Sequence, residues 1–392
     1  MLLDDVREAG NTGRRPTADF AEARNTNPGG RPPGTPWAGN GAHASGEAGM
    51  ARAGDRAGPA PALFERAAVT RTFDTPAFRG LTFYEVHART IVNQVPRASR
   101  MSFRWTINPY RGCSHACFYC FARGTHTYLD LDAGLDFNSK IVVKVNAPEL
   151  LRRELAAPRW AGERIAMGTN VDCYQRAEGR YRLMPGILTA LRDAANPFSI
   201  LTKGTLILRD IELLTQAAQV TDVGLNFSVG FVDKELWRSV EPGTPDPERR
   251  LEACAALTAS GLRCGVLMGP VVPFLSDSPA QLDATVRAIA GTGASQVSPI
   301  VLHLRPGARE WFLGWLGEHH PGLVARYRAL YGRGAYAPRA YQARIAEQVR
   351  ELAHRYGVGR AGPSARRIRP ASPRPERARS GPAAPPEQLA LL

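Results

Sequence analysis

The sequence lacks the features of membrane-spanning, exported and disulfide-stabilised proteins. No run of about 18 or more apolar residues occurs, so no segment is predicted to span a membrane. The N-terminus lacks a continuous apolar segment with a small-residue cleavage site, which argues against a signal peptide. Six cysteines in 392 residues are too few for a disulfide framework. We therefore expect a reducing, cytoplasmic compartment, in which clustered cysteines more often bind metal.

Acidic residues are also in short supply. The chain has 50 Lys and Arg against 36 Asp and Glu, a formal net charge of +14. Residues 1–63 hold seven Arg and seven acidic residues, and residues 361–392 hold six Arg and two Glu, which leaves +10 for residues 64–360. Such a charge favours polyanionic partners such as nucleic acid. A basic composition without any partner remains an open alternative.

Both ends of the chain lack apolar periodicity. Residues 1–62 are dominated by Gly, Pro and Ala, and residues 361–392 are rich in Pro and Arg. Neither segment can bury enough surface to offset its ordering entropy, so both are predicted to be disordered tails. Met50 is an alternative start of the chain. Residues 63–100 are assigned to an N-terminal extension.

Apolar runs typical of strands alternate with amphipathic runs typical of helices between the tails. Six such strands with helices between them predict a parallel sheet covered by helices, an α/β fold of the incomplete (β/α)6 barrel type, over residues 101–320. C-terminal helices are expected over residues 321–360, with the tract Tyr341–Tyr356 packed outside the barrel. Residues 140–146 (KIVVKVN) alternate like an exposed strand. The six predicted strands are RWTINPY, RIAMGTNV, FSILTKG, DVGLNFSVG, RCGVLMGPVVP and QVSPIVLHL.

The carboxyl ends of parallel barrel strands meet at one rim, where the chemistry of such folds collects. We therefore expect the residues at the six strand ends to lie together. They are Cys113, Gly168–Asp172, Lys203–Gly204, Ser228–Gly230, Gly269–Pro273 and His303–Arg305.

The stretch RGCSHACFYCFA places Cys113, Cys117 and Cys120 within eight residues. Four interpretations are open. Zinc would need a fourth ligand, for which His115 is near; a redox pair would use CFYC and leave Cys113 idle; the thiols could be structural. The fourth is a [4Fe–4S] cluster, which usually takes four thiolates, so that three would leave one iron open to a small molecule.

CSHACFYC also fits C-x3-C-x-aromatic-C and resembles the signature of the radical SAM enzymes. The resemblance covers roughly residues 100–320. It implies that the three cysteines ligate a [4Fe–4S] cluster whose open iron is chelated by S-adenosylmethionine. An electron from a donor such as flavodoxin or ferredoxin would then generate a 5′-deoxyadenosyl radical, which abstracts hydrogen from a substrate.

The resemblance further implies contacts to S-adenosylmethionine. Many members read GGE at the second strand end, whereas this chain reads MGTN from Met167, so the group that binds the amine is left open. Lys203 and Ser228 could instead be rim residues that face solvent. The implied contacts are Tyr119 for the adenine, Gly168, Thr169, Asn170 and Asp172 for the methionyl part, Lys203 for the carboxylate, and Ser228 for the ribose or carboxylate.

NPYRGCSHACFYC resembles more closely the branch that contains spore photoproduct lyase, often called DNA repair photolyase-like. Residues 164–178 (RIAMGTNVDCYQRAE) and 238–257 (RSVEPGTPDPERRLEACAAL) are similar to an actinobacterial subgroup of it. The lyase returns a hydrogen atom from a cysteine at the place that Gly168 holds here. Cys173 is the nearest candidate donor, and the alternative is an ordinary buried thiol. Cys254 and Cys264 are predicted to lie in the core.

Charged residues after the fourth and sixth strands have two open interpretations. Glu241, Arg249 and Arg250 could contact substrate phosphate or could simply solvate a helix start. The second interpretation is favoured for Arg249, and both are open for Glu241 and Arg250. Arg305 could bind phosphate, and His303 is expected to be a rim residue rather than a catalytic one.

The chain ends in QLALL, Gln388–Leu392. This segment resembles the motif by which bacterial repair and replication proteins dock on the sliding clamp, in which a Gln makes polar contacts and leucines fill an apolar groove. The basic segment before it would suit a tether near DNA.

Together these features predict a cytoplasmic radical SAM enzyme, of lyase or oxidoreductase type, that acts on a nucleic-acid lesion or modified base in DNA repair. One alternative is a radical SAM enzyme that acts on a protein or small molecule. Another is a non-catalytic Fe–S or zinc protein that binds DNA or the sliding clamp.

Overall fold

The computed structural model describes residues 68–96, 99 and 101–359. The two predicted tails and the predicted docking motif Gln388–Leu392 lie outside the described residues. The strands are β1 (Ala68–Thr72), β2 (Thr82–Val86), β3 (Val92–Gln94), β4 (Trp105–Ile107), β5 (Tyr110–Arg111), β6 (Lys140–Lys144), β7 (Ile165–Met167), β8 (Phe198–Thr202), β9 (Val223–Ser228), β10 (Cys264–Val271) and β11 (Val297–Val301).

Helices separate most of these strands, and short 3₁₀ helices cover residues Pro76–Phe78, Phe121–Leu129, Thr205–Asp210 and Pro321–Leu323. The α-helices are α1 (Leu135–Ser139), α2 (Ala147–Ala156), α3 (Arg176–Tyr181), α4 (Leu183–Asp193), α5 (Ile211–Val220), α6 (Lys234–Val240), α7 (Pro247–Ala259), α8 (Pro279–Ala290), α9 (Ala308–His319), α10 (Val324–Tyr331) and α11 (Arg339–Arg355).

The larger sheet confirms the predicted fold class. Its strand order is β11-β10-β9-β8-β7-β4-β3. The six strands from β4 to β11 pair in parallel in sequence order, and β3 pairs antiparallel with β4 at the edge. They correspond to the six predicted strands. A parallel strand can follow its neighbour only through a crossover, which the intervening helices provide, so the result is a partial barrel.

Side-chain caps fix the starts of two helices. The side chain of Asp246 caps α7 by accepting from the backbone N–H of Glu248 at 2.8 Å, and Pro247 occupies the first helical position. Ser278 caps α8 by accepting from the N–H of Gln281 at 3.3 Å. The Gln281 side-chain amide donates to the carbonyl of Leu275.

The smaller sheet was not anticipated from the sequence. Its order is β1-β2-β6-β5, with β2 and β6 parallel and the other pairs antiparallel. The strand predicted at residues 140–146 is present as β6, but its predicted exposure is wrong, because β6 lies between β2 and β5 and is largely buried. Ile141 and Val143 pack in the main core, while Val142 packs in a separate small cluster on the other face. The segment is apolar on both faces, as central strands are.

The C-terminal helix α11 packs where it was predicted to pack. Ile345, Val349 and Leu352 are buried in a second core cluster that also contains Leu282 and Val286 of α8. Within the described part of the chain, no helix is long and apolar enough to cross a bilayer.

Candidate functional site

The cysteine loop begins directly after β5 and depends on one glycine. Gly112 has a φ of +77°, and a Cβ there would lie 2.8 Å from the carbonyl of Lys140, so both conformation and space require glycine. The amide of Cys113 then donates to the carbonyl of Phe137. Gln175 ties the loop to the second strand end, because its side chain accepts from Ser114 N–H and donates to the Gly112 carbonyl, both at 2.9 Å.

The three thiols lie in one buried environment. Cys113 and Cys117 are buried, Cys120 is half-buried, and all three are free. Burial raises the pKa of the Cys113 thiol well above its usual value and that of Cys117 to about 12, and neighbouring thiols of the loop add to both effects. Such thiols become thiolates only when a positive group compensates them.

Arg123 supplies a buried positive charge beside this loop. Its side chain is fully buried, and its guanidinium donates to the carbonyls of Ala116, Cys117, Ala133 and Gly134 and to Asn138 Oδ1, at 2.9–3.3 Å. Burial lowers the pKa of Arg123, and the three thiols oppose that shift.

Three adjacent thiols in a dry loop beside a cation are the donor set that a three-thiolate cluster requires, so the residues fit that group. Within residues 68–359, as far as the structure describes them, no group of three or more His, Cys, Asp or Glu side chains converges closely enough to hold one metal ion.

A buried network fixes the aromatic residue before the third cysteine. The Tyr119 hydroxyl donates to Glu241, whose other carboxylate oxygen accepts from Arg250. All three side chains are buried. Burial raises the pKa of Glu241, but Arg250 and Lys203 outweigh burial and hold it below its usual value. Glu241 is therefore an anion that orients Tyr119.

The loop that carries Glu241 lies directly on the cysteine loop. Gly243 N–H donates to the His115 carbonyl, and Phe118 N–H donates to the Val240 carbonyl. A Cβ on Gly243 would lie 2.2 Å from the Ser114 carbonyl. Only glycine allows this approach.

Lys203 and Ser228, predicted from separate strand ends, are brought together. Lys203 Nζ donates to Ser228 Oγ at 2.7 Å, and Ser228 Oγ donates to the Gly269 carbonyl at 2.7 Å. Lys203 Nζ also lies 5.6 Å from the centre of the Tyr119 ring. Three predicted S-adenosylmethionine contacts from β8, β9 and the cysteine loop thus share one place, as expected for one rim.

The second strand end is shaped by backbone packing. Gly168 has a φ of +73°, and a Cβ there would lie 1.8 Å from the Leu201 carbonyl. Thr169 and Asn170 are half-buried. The amine-binding role predicted for this segment remains a prediction.

Asp172 is committed to the protein itself. Its Oδ1 accepts from Tyr174 N–H and Thr202 Oγ1, and its Oδ2 accepts from Lys203 N–H, at 2.6–2.8 Å. Its Oδ2 also faces His115 Nδ1 at 3.4 Å. Burial lowers the pKa of His115 to about 4, although Asp172 opposes this, so the imidazole is neutral at pH 7. Asp172 thus joins the second and third strand ends.

The remaining cysteines lie in the core. Cys173 is fully buried in the main core cluster, which corresponds to the alternative of an ordinary thiol; its role as hydrogen donor stays a prediction. Cys254 and Cys264 are also fully buried, as predicted, with their Sγ atoms 3.3 Å apart.

Two charged residues were misjudged from the sequence. Glu241 and Arg250 do not face solvent, as an open phosphate contact or a solvated helix start would require; they form a buried ion pair instead. A signal was present, because Arg250 precedes buried Cys254 and Leu257 by four and seven residues, on the apolar face of α7. Arg249 is exposed, as expected. Arg123 was missed, and no sequence pattern marked it.

Comparison with known proteins places the chain in a family. The model of the radical SAM superfamily matches residues 107–284. An uncharacterised protein of Mycobacterium tuberculosis is 49% identical over 299 residues, which cover 76% of this chain and 88% of the relative. An uncharacterised protein of Methanocaldococcus jannaschii is 30% identical over 174 residues, 44% of this chain and 62% of the relative.

Solved structures share the fold. Spore photoproduct lyase complexed with dinucleoside spore photoproduct superposes with a TM-score of 0.53 at 14% identity, covering 71% of this chain and 80% of that one. A mutant of that lyase with bound AdoMet and dinucleoside spore photoproduct gives 0.51 at 16% identity, covering 68% and 79%. The chain belongs to the radical SAM superfamily and is an enzyme of that superfamily.

Proposed function

We propose that this enzyme holds a [4Fe–4S] cluster on Cys113, Cys117 and Cys120, cleaves S-adenosylmethionine, and acts on nucleic acid at a lesion or modified base. The observation that carries the proposal is the convergence of the cysteine loop with the Lys203–Ser228 pair beside Tyr119. Side chains from three separate segments meet where a cofactor held by the loop would also contact the strand ends.

The cluster, when bound and reduced, would supply one electron to cleave the sulfonium of S-adenosylmethionine to a 5′-deoxyadenosyl radical. The protein's own part is positioning and exclusion of water. Glu241 fixes the Tyr119 hydroxyl and so holds the ring that is proposed to lie against the adenine. Lys203 presents an ammonium group for the carboxylate, steadied by Ser228. Ser228 is also proposed to reach the ribose or carboxylate.

Asp172 has a different role in this proposal from the one expected. Both of its oxygens already accept hydrogen bonds from the protein, so it orients the Lys203 backbone rather than the amine of the cofactor. Thr169 and Asn170, which follow the strained turn at Gly168, are the proposed amine contacts.

The proposed nucleic-acid substrate is supported by charge. The +10 of residues 64–360 would attract a polyanion and release its counterions on binding. The proposal includes a cytoplasmic setting, with flavodoxin or ferredoxin as electron donor.

The test of the reaction class is anaerobic reconstitution of the full chain with iron and sulfide, followed by reduction and assay of 5′-deoxyadenosine. We expect production by the wild type, loss in Cys120→Ala, and retention in Cys254→Ala, a matched change of a cysteine away from the loop. Cleavage that survives replacement of all three loop cysteines would contradict the proposal.

The substrate class is tested separately by binding to damaged and undamaged DNA across salt concentrations. A negative slope of log K against log salt is expected, because phosphate contacts release counterions. A slope near zero would point to the protein or small-molecule alternative.

A further inference from the structure

Four side chains, three of them exposed and His303 half-buried, form a continuous strip next to the cysteine loop. The rim strip comprises Phe121, His303, Arg305 and Tyr336. The Arg305 guanidinium lies 5.5 Å from the centre of the Phe121 ring, and Arg305 Nη2 donates to the Tyr336 hydroxyl at 3.1 Å. The His303 and Tyr336 rings are 4.6 Å apart, edge to face. Three rings and one guanidinium therefore lie side by side.

The strip is both exposed and close to the proposed cluster. Phe121 directly follows Cys120, and His303 and Arg305 follow β11 at the carboxyl end of the barrel. Phe121 is 41% exposed and Tyr336 is 48% exposed, and Arg305 is exposed as well. Large aromatic groups in this position cost free energy in water unless a ligand covers them.

Stabilisation of the fold accounts for only part of this arrangement. The segment around Tyr336 is already joined to the sixth strand end by backbone contacts: His303 and Tyr336 form a β-bridge, and Leu304 N–H donates to the Ala335 carbonyl at 2.8 Å. These backbone bonds need no aromatic ring. The exposed aromatic residues Phe121 and Tyr336 and the guanidinium that contacts both are additional.

The chemistry of the strip fits an unpaired nucleotide. Aromatic faces stack on bases of any sequence, and a guanidinium between them can pair with phosphate or stack as well. One of the five N–H groups of Arg305 donates to Tyr336; in the described part of the chain no other acceptor is bonded to it, so the rest are available to a phosphate.

We propose that the rim strip stacks an unpaired nucleobase of the substrate strand and that Arg305 pairs with the adjoining phosphate. This rests on the proposed action on nucleic acid and extends it, because it names single-stranded or extruded bases as the form that is bound. A base on the strip would lie beside Cys120, on the rim where the radical is generated. A target atom buried in a duplex could not reach this place.

The test compares two probes on the reconstituted full chain by fluorescence anisotropy. One is a fluorescein-labelled single-stranded oligothymidylate, and the other is an abasic oligonucleotide of equal length with the same phosphates. Phe121→Ala and Tyr336→Ala should each weaken binding of the oligothymidylate about 5- to 150-fold, since a stacked base contributes about 1–3 kcal/mol. Binding of the abasic probe should not change, because it has no base to stack.

Arg305→Ala should weaken both probes and reduce the salt slope by about one. Matched controls are Tyr128→Ala, which removes a 72% exposed ring outside the strip, and Arg249→Ala, which removes an exposed arginine of α7. Tyr128→Ala should change the affinity for the oligothymidylate by less than twofold. Arg249→Ala should also change it by less than twofold, because it removes only one charge from the net total.

The outcomes separate the strip from the wider proposal. If Phe121→Ala and Tyr336→Ala weaken the binding of both probes equally, or of neither, the proposed stacking on the rim strip is wrong, while the proposed action on nucleic acid stands. Failure of the wild type to bind either probe would overturn both proposals, and the production of 5′-deoxyadenosine would still report the reaction class.

Discussion

Replacing Arg250 should destabilise the enzyme more than replacing any exposed charged residue of α7. The guanidinium is buried, and it donates to Glu241, to the Ser228 carbonyl at 2.8 Å and to the Pro245 carbonyl at 3.0 Å. Arg250→Met keeps much of the volume but leaves a buried carboxylate and two carbonyls without their donor. Breaking a buried pair in this way costs about 3–5 kcal/mol, measurable by urea unfolding at pH 7.

The pH dependence of that loss is a sharper check. In the wild type the pKa of Glu241 is below its usual value, so Glu241 contributes stability above the unfolded pKa that disappears as pH falls through the folded pKa. Without Arg250, burial dominates and raises the pKa of Glu241. The folded variant then binds a proton more readily than the unfolded chain does, so its deficit relative to the wild type should shrink as pH falls from 7 toward about 4.5.

A double-mutant cycle isolates the pair. Glu241→Gln retains an acceptor for Tyr119 and removes the charge. Each single change leaves the partner's charge buried alone, whereas Glu241→Gln combined with Arg250→Met removes both charges. The double variant should therefore be less destabilised than the sum of the single changes, by about 0.5–3 kcal/mol. The adjacent exposed Arg249→Met is the control and should change stability by less than about 0.5 kcal/mol. Additive effects with no pH dependence would refute the reasoning.

Three further predictions concern a glycine turn, a buried lysine and the C-terminal segment. Gly168→Ala should lower the free energy of unfolding by at least about 2 kcal/mol, because alanine is strained at a positive φ and its Cβ would meet the Leu201 carbonyl. An unchanged stability in thermal or urea unfolding would contradict the assigned turn. Burial and the nearby Arg111 lower the pKa of Lys144 to about 8, from 10.5 in the unfolded chain. Because the buried charge destabilises the folded wild type below pH 8, Lys144→Met should be more stable there by up to about 3 kcal/mol. This difference should disappear as the pH rises from 8 to 10.5. Deleting Gln388–Leu392 should abolish capture of the chain by immobilised sliding clamp, and no capture of the intact chain would remove that proposal.

Local patterns were sufficient for the repetitive part of the fold. The apolar runs of β7 to β11 and the capped starts of α7 and α8 are short-range features, encoded within about ten residues, and the parallel order follows because each strand needs a helical crossover. The small sheet escaped prediction because β5 has only two residues and β2 pairs with β6, where Thr82 lies opposite the sequence-distant Lys140. Its strand β6 is apolar on both faces, so the alternating pattern of residues 140–146 wrongly predicted that one face would be exposed to solvent.

The sequence by itself determined the superfamily and the three proposed iron ligands, since Cys113, Cys117 and Cys120 lie within one loop and their spacing is set by neighbouring residues. It also predicted which strand ends would share a rim. Only the tertiary structure decided what each rim residue does. It pairs Arg250 rather than Arg249 with Glu241, commits Asp172 to the Lys203 backbone, and buries Arg123 beside the thiols. Burial and partner geometry, not residue type, set the energy of such charges, and a partner can be distant in sequence, as Glu241 is from Tyr119, 122 residues before it.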